Sequence, residues 1–472
     1  MYNPKSKHAE EFICDEEIQA TLAYAKEHKN DGAELEKILQ QAETYKGLNY
    51  KQVAVLLECD DPDWVTRIHA LAAKIKQHIY GNRIVMFAPL YLSNYCVNGC
   101  KYCAYHYSNC EIKRKQLSQE EIRQEVIALQ DMGHKRLALE TGEDPVNCPI
   151  EYVLDSIKTI YSVKHQNGAI RRVNVNIAAT TVENYTKLKE AGIGTYILFQ
   201  ETYNKRMYER VHPTGPKHNY AYHTEAMDRA MQGGIDDVGI GALLGLYDYQ
   251  YDTVAMMMHV RHLEETFGVG PHTISLPRIR RASDVDANQY RGVPDDKFNT
   301  LVAILRLAVP YTGLIISTRE SKENRAELLK LGISQISGAS STGVGGYVDG
   351  EEEEKEDTAQ FEVNDRRSLD EIVGWLGSAG YIPSFCTACY RAGRTGDRFM
   401  TLAKAGQICN VCQPNALMTL KEYLMDYASE HTRAVGEKLI EQELRQITND
   451  TIREKTIANL AAIEHGERDF RF

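Results

Sequence analysis

Through the first 80 positions apolar residues recur at helical spacing: AEEFICDEEIQATLAYAKEHK and LEKILQQAETY scatter them among charges without strand-like alternation. The pattern predicts a helical segment over 1–80. From Ile84 the texture changes to short apolar runs separated by amphipathic stretches. The runs are IVMFAPLYLS (84–93), RLALETG (136–142), RVNVNIA (172–178), TYILFQ (195–200), VGIGALL (238–244), HTISLPR (272–278), GLIIST (313–318) and ISQISGAS (333–340). Between them lie helical patterns such as SQEEIRQEVIALQDM, where Ser118 and Glu121 have capping-box spacing, and TVENYTKLKEAG, which stops at Gly192. Strands in strict alternation with helices predict an α/β chain with a parallel TIM-type (β/α)8 barrel over 81–341, an open doubly wound sheet being the competing layout.

After Ser341 the alternation stops. A glycine-rich stretch, TGVGGYVDG, leads into EEEEKED, a charge run read as a solvated loop, and from about residue 368 the pattern is helical again. Residues 342–472 are expected to form a C-terminal domain. No repeat of fixed period is present.

Composition narrows the function classes. With 43% hydrophobic residues in 472, the chain can bury a full core, and 55 basic against 66 acidic side chains, a formal charge of -11, argue against a nucleic-acid binder held by phosphate neutralisation. No apolar run reaches the roughly 20 residues that span a bilayer, and MYNPKSKHAEEF lacks the layout of a secretory signal, so a cytoplasmic, non-membrane protein is expected. Eleven cysteines in such a compartment are expected to be reduced thiols, some of them metal ligands. Cys14, Cys59, Cys110 and Cys148 have no interpretable spacing and default to buried or incidental thiols.

Cys96, Cys100 and Cys103 stand in C-x3-C-x2-C spacing directly after the first strand, in SNYCVNGCKYCAYH. The loop after a barrel strand lies at the face where active sites are built, and three thiolates suit an iron–sulfur cubane with one open iron. A zinc site completed by His106 is the alternative. In the C-terminal region Cys386-x2-Cys389 and Cys409-x2-Cys412 by themselves have zinc-ribbon spacing.

The first spacing, the aromatic Tyr102 before the last cysteine and the position after strand one together resemble the radical SAM superfamily. QETY (200–203), HPTGPK (212–217), GIDDVGIGALLGLYDY (234–249), PRIR (277–280) and STRE (317–320) are similar to its tyrosine lyases, which include 2-iminoacetate synthases of the thiamine pathway and an FeFe-hydrogenase maturase family. Of these, the maturases carry a C-terminal C-x2-C-x22-C pattern, which Cys386, Cys389 and Cys412 match, Cys409 being an extra thiol that keeps a four-thiolate site open.

The resemblance implies two 4Fe-4S clusters. One, on Cys96, Cys100 and Cys103, would bind S-adenosyl-L-methionine, with Tyr102 near the adenine and Thr141-Gly142-Glu143 as the turn that holds the methionyl amino group; a plain strand-to-loop turn is the alternative. The other, auxiliary, would sit on Cys386, Cys389 and Cys412 with a fifth iron held by His272, a residue that otherwise reads as structural. Gln200 and Glu201 are cofactor-side candidates. At strand ends, Arg278 and the Ser317-Thr318-Arg319 run are candidates for fixing a substrate carboxylate, or else structural ion pairs. The implied reaction is cleavage of the Cα–Cβ bond of L-tyrosine to p-cresol and dehydroglycine, and conversion of the latter to carbon monoxide and cyanide. Its implied partners are a reduced ferredoxin- or flavodoxin-type donor and other hydrogenase maturases. A thiamine-pathway synthase and a non-catalytic iron–sulfur carrier are the competing functions.

Overall fold

The computed structural model describes residues 1–286, 289–348, 358–404 and 408–472, the side chains at 400, 403, 404, 408 and 409 excepted; the acidic run 351–357 lies outside the described residues. Eight parallel strands close on themselves: β1 (Arg83–Ser93), β2 (Arg136–Thr141), β3 (Arg172–Asn176), β4 (Tyr196–Ile197), β5 (Val238–Gly241), β6 (Thr273–Ser275), β7 (Gly313–Ile316) and β8 (Gln335–Ser337). They pair in chain order, and β8 returns to β1 with Val85 opposite Gln335 and Phe87 opposite Ser337. The expected closed barrel is therefore present, and the open sheet is not.

Period-two alternation decides which side chains face inward. Ala88, Leu90, Leu137, Leu139, Val173, Val175, Ile240, Ile274, Leu314 and Ile336 are buried and join the hydrophobic core. Their neighbours Pro89, Tyr91, Ala138, Glu140, Asn176, Ser275, Ile315 and Ser337 line an internal cavity instead. That inward set is mixed in polarity, and the outward set is apolar throughout.

The N-terminal segment is helical as its periodicity predicts. Helices Asp15–Glu27, Gly32–Ala42, Tyr50–Glu58 and Pro62–Tyr80 start on side-chain caps or acidic first turns; Asn49 and Gln52 form a reciprocal capping box, and Asp61 caps a helix that opens on Pro62. They pack beside the barrel helices Tyr249–Phe267 and Asp295–Ala308.

A ninth strand was not predicted. β9 (Ile382–Ser384) runs parallel to β1, pairing Arg83 with Ile382 and Val85 with Ser384, at the start of that strand. Three residues with a proline in the middle carry no strand signal, and Pro383 is tolerated because β9 lies at an edge. β9 leads the C-terminal helices to the bottom of the barrel, the end opposite the Cys96 loop. There Lys135 and Arg171 pair with Glu422 at 2.7 and 3.1 Å, and Phe385 stacks on Tyr423.

Candidate active site

At the upper end, where β1 and β2 run out, a cavity of about 220 Å³ is lined by Cys96, Cys100 and Cys103 together with Tyr102, Thr141, Gly142, Glu143, Glu201, Ser317 and Arg319. The cysteine loop is fixed by backbone pairing to the β2 exit and to the 211–214 segment: Val97 N donates to Glu143 O (2.8 Å), Gly99 N to Thr214 O and Lys101 N to Val211 O. Gly142 is dictated by crowding. A Cβ there would lie 2.2 Å from Tyr95 O and 3.1 Å from Cys96 Cβ.

Polar side chains tie the loop to its surroundings. Asn98 Nδ2 donates to Glu143 (2.6 Å) and reaches Cys96 Sγ at 3.7 Å, and its Oδ1 accepts from Lys217 N. Lys217 Nζ binds Glu201 at 2.8 Å, and Glu201 holds a left-handed φ of 69° at the exit of β4. Burial opposes the charge on Lys217, yet the Glu201 carboxylate outweighs it and the ammonium stays protonated far above neutrality. Tyr102 donates to or accepts from His212 Nε2 at 2.7 Å. Burial pushes the Cys103 thiol up to about 11 and Cys100 higher still. A bare thiolate is thus disfavoured here, and bound cationic iron reverses that preference, because a coordinating thiol is deprotonated by its metal.

Arg319 differs from the other arginines at the strand ends. Among the described residues no carboxylate pairs with its guanidinium, which lies against the Phe361 ring, Cζ 3.3 Å from the centroid. Arg278, by contrast, is not a lining residue: it is engaged by Glu320, by Asp295 at 2.7 Å and by Val293 O. Gln200 also turns away, donating to Thr224 Oγ1 at 2.8 Å.

A second, smaller cavity of about 90 Å³ at the bottom of the barrel brings together Cys386, Cys389, Cys412 and His272, with Arg83, Arg136, Tyr390 and Phe399. Cys386 and Cys389 follow β9, and Cys412 lies on helix Ile408–Asp426. The Cys412 thiol donates to Cys389, and that bond lowers the pKa of Cys389 and raises that of Cys412. Arg136 donates to Cys386 O at 2.8 Å. His272 Nε2 meets Tyr390 OH at 2.7 Å, its Nδ1 lies 3.5 Å from Asp237, and burial lowers its pKa to about 4, so the ring is neutral with a lone pair for ligation. The Cys409 side chain lies outside the described residues.

Do these trios fit clusters or single ions? Among the described residues no three His, Cys, Asp or Glu side chains converge as the ligands of one metal ion must. Zinc needs sulfurs about 2.3 Å from a common centre, whereas the thiolates of a cubane each hold a different iron and stand apart around it. Three cysteines line each cavity without converging on one point, although Cys389 and Cys412 stand within hydrogen-bond reach of each other, and that arrangement fits the second case better. His106, the alternative zinc ligand, is engaged elsewhere: Nδ1 meets Ser108 Oγ at 2.9 Å and Nε2 faces Asp284 at 3.4 Å.

Several residues escaped sequence reading. Asn98 sits inside the cysteine motif, Glu140 inside LETGED and Lys217 at the end of HPTGPK, so motif membership could have flagged all three. Tyr91, Asn176, Gln360 and Phe361 had no such signal.

Comparison with known proteins places this geometry in context. The Radical SAM superfamily model matches residues 90–260, and the Biotin and Thiamin Synthesis associated domain matches 275–382. The 2-iminoacetate synthase of Salmonella typhimurium is 30% identical over 353 residues, 74% of this chain and 89% of that protein. A crystal structure of HydG, a maturase of the [FeFe]-hydrogenase, superimposes with a TM-score of 0.94 at 57% identity over 98% of this chain and all of that one. HydG from Carboxydothermus hydrogenoformans gives 0.83 at 39% identity over 96% and 99%.

Proposed function

The chain belongs to the HydG family of radical SAM hydrogenase maturases, and from that premise we propose that it is a carbon–carbon lyase that splits L-tyrosine into p-cresol and dehydroglycine and turns the dehydroglycine into carbon monoxide and cyanide for assembly of a hydrogenase cofactor. The observation that carries this reading is the pair of three-cysteine cavities at opposite ends of one barrel. A thiamine-pathway synthase needs the upper trio alone.

Cys96, Cys100 and Cys103 would hold a 4Fe-4S cluster, which when bound supplies the electron that cleaves S-adenosyl-L-methionine to the hydrogen-abstracting radical. The chain's own part is positioning and exclusion. Close approach of the Gly142 backbone leaves room for the methionyl end, with Glu143 beside it, and Tyr102 forms the wall toward His212. Arg319, with no carboxylate partner among the described residues, takes the tyrosine carboxylate bidentately, with Ser317 next to it. Glu201 holds Lys217 away from that carboxylate. The barrel walls keep water from the radical and from the imine product.

At the lower end Cys386, Cys389 and Cys412 would hold the auxiliary cluster, whose extra iron supplies the acceptor for carbon monoxide and cyanide. His272, neutral and lining that cavity, would help hold that iron through Nε2, the atom that Tyr390 OH engages here. Electrons come from a ferredoxin- or flavodoxin-type donor, and the product passes to another maturase. No described helix is long and apolar enough to cross a membrane.

Anaerobic incubation with reductant, S-adenosyl-L-methionine and tyrosine tests the reading. Deoxyadenosine and p-cresol are expected, and Cys386→Ala retains p-cresol but loses carbon monoxide. Absence of deoxyadenosine and p-cresol from the wild type eliminates the lyase. Persistence of carbon monoxide in Cys386→Ala eliminates the lower site.

A further inference from the structure

One segment of the C-terminal region does not stay at the bottom of the barrel. Residues 358–365 cross the upper mouth as a strap, pinned by backbone and side-chain hydrogen bonds at intervals. Gln360 N donates to Thr342 O, Glu362 N to Arg281 O, and Asn364 N and Asp365 N to Thr318 O; Thr342 Oγ1 donates to Phe361 O. Asp365 at its end is held by Arg325 and Arg367. So anchored, the strap directs two side chains into the cavity: Phe361 onto Arg319, and Gln360 between Tyr91 and the cysteine loop.

The Gln360 amide is engaged at both its oxygen and its nitrogen. Its Oε1 accepts from Tyr91 OH at 3.0 Å, which fixes the amide's orientation, and its Nε2 reaches Cys103 Sγ at 3.7 Å, within the range of an N–H···S hydrogen bond. Tyr91 is buried on the inner face of β1, so the chain from the barrel wall through the amide to the sulfur is enclosed. The three upper cysteines are not treated alike. Cys103 also receives a hydrogen bond from the Tyr105 backbone, and Cys96 has the Asn98 amide at 3.7 Å. Gln360 is the donor that comes from outside the cysteine loop.

Hydrogen bonds to ligating sulfur favour the reduced, more negative state of an iron–sulfur centre and raise its potential. We propose that Gln360 is a positioning residue that donates to the Cys103 thiolate and makes the upper centre easier to reduce, so that the strap, not the cysteine loop alone, sets how readily an electron enters. This rests on the assignment of Cys103 as an iron ligand. Gln360 exchanges no proton; one electron passes from a low-potential reductant to the centre, and the amide N–H stabilises the charge it adds.

The test is an EPR-monitored redox titration of anaerobically reconstituted full-length protein, following the signal that changes on adding S-adenosyl-L-methionine and so belongs to the upper site. Gln360→Leu removes the donor. Gln360→Glu keeps an acceptor for Tyr91 but places an acid beside the sulfur. Asn364→Ala removes a side-chain bond to the Arg319 carbonyl but leaves the backbone pins of the strap in place and touches no cysteine. Both Gln360 variants are expected to load full iron and to show, at one fixed potential, a reduced-to-oxidised ratio about tenfold below wild type, which for one electron is about 59 mV. Asn364→Ala is expected to match wild type. An unchanged ratio in both Gln360 variants, or an equal fall in Asn364→Ala, overturns the proposal. The ratio is read without tyrosine, so loss of lyase activity in the wild type would sink the proposed reaction and leave this result standing.

Discussion

Gly142→Ala puts the site's construction to a direct test. The added methyl would meet Tyr95 O at 2.2 Å, Tyr95 C at 3.0 Å and Cys96 Cβ at 3.1 Å. Ordinary carbon–oxygen contact is near 3.4 Å, so the backbones must part by roughly 1 Å, and rigid interiors yield such space at a cost of about 1–3 kcal/mol. The strands are not free to give it. Gly142 N is bonded to Ser93 O and Val97 N to Glu143 O, on either side of the clash, so the displacement passes into Tyr95–Cys96. A misplacement of that size at a reacting centre costs about 10²-fold. The variant is therefore expected to fold, with a modest fall in melting temperature, to keep the lower site, and to bind S-adenosyl-L-methionine at least tenfold more weakly. Equilibrium binding to the reconstituted protein, with iron content and thermal melting measured on the same sample, checks all three. Wild-type affinity would refute the claim that the β2 exit and the cysteine loop are one close-packed unit.

Arg319→Met keeps part of the unbranched stem but removes the guanidinium fork that lies over Phe361; p-cresol formation is expected to lose about 10²-fold in kcat/KM for tyrosine while deoxyadenosine formed without substrate is unchanged, consistent with truncation of a buried charged hydrogen bond at about 2–5 kcal/mol. Asp252 is buried, accepts from Thr202 Oγ1 and Tyr203 N on Oδ1, and leaves Oδ2 without a partner; burial raises its pKa to about 7. Its folded value is above the unfolded one, so the native chain holds the extra proton between about pH 4 and 7 and stability falls as pH rises through that window, by at most about 1.4 kcal/mol per unit for one group. Asp252→Asn should remove that component of the slope and be the more stable protein at pH 8, measured by denaturant melts across pH; identical slopes would refute it.

Much of the frame was legible from pattern alone, because each strand buries one apolar row against helices and the row's period shows in the sequence. Seven of the eight runs contain a whole barrel strand, and the first misses only Arg83 of its own. Their ends were overdrawn: 195–200 was read as one run, yet the ladder spans Tyr196–Ile197, with Leu198 N and Gln200 N continuing to β5 through Gly239 O and Gly241 O. The cysteines were legible because spacing carries chemistry. Arg278 shows where such reading stops. Position at a strand end made it a candidate alongside Arg319, and what separates them is Glu320, whose carboxylate engages Arg278 and, at 3.2 Å, Arg280. No local signal tells which of two neighbouring arginines a glutamate will take. Gln360 and Tyr390 were invisible for the same reason, since each acts on a partner more than 100 residues away.

The two cavities are connected by the strands they share. Val85, Arg136, Gly313 and Gln335 line the lower one; Phe87, Ala138, Ile315 and Ser337, each two residues further along the same strand, line the upper one. Two residues of strand advance about 6.6 Å, so on β1, β2, β7 and β8 consecutive inward layers face the two sites. The upper of those layers carries the small or apolar side chains Phe87, Ala138, Ile315 and Ser337, and in the lower one a Cβ added at Gly313 would lie 2.3 Å from Gln335 Nε2, which would have to move. On the proposed chemistry this arrangement answers the problem posed by dehydroglycine, an imine that water destroys. On that proposal its route from the upper cysteines to the lower ones would run along the barrel axis, inside walls built by the same eight strands that line both cavities.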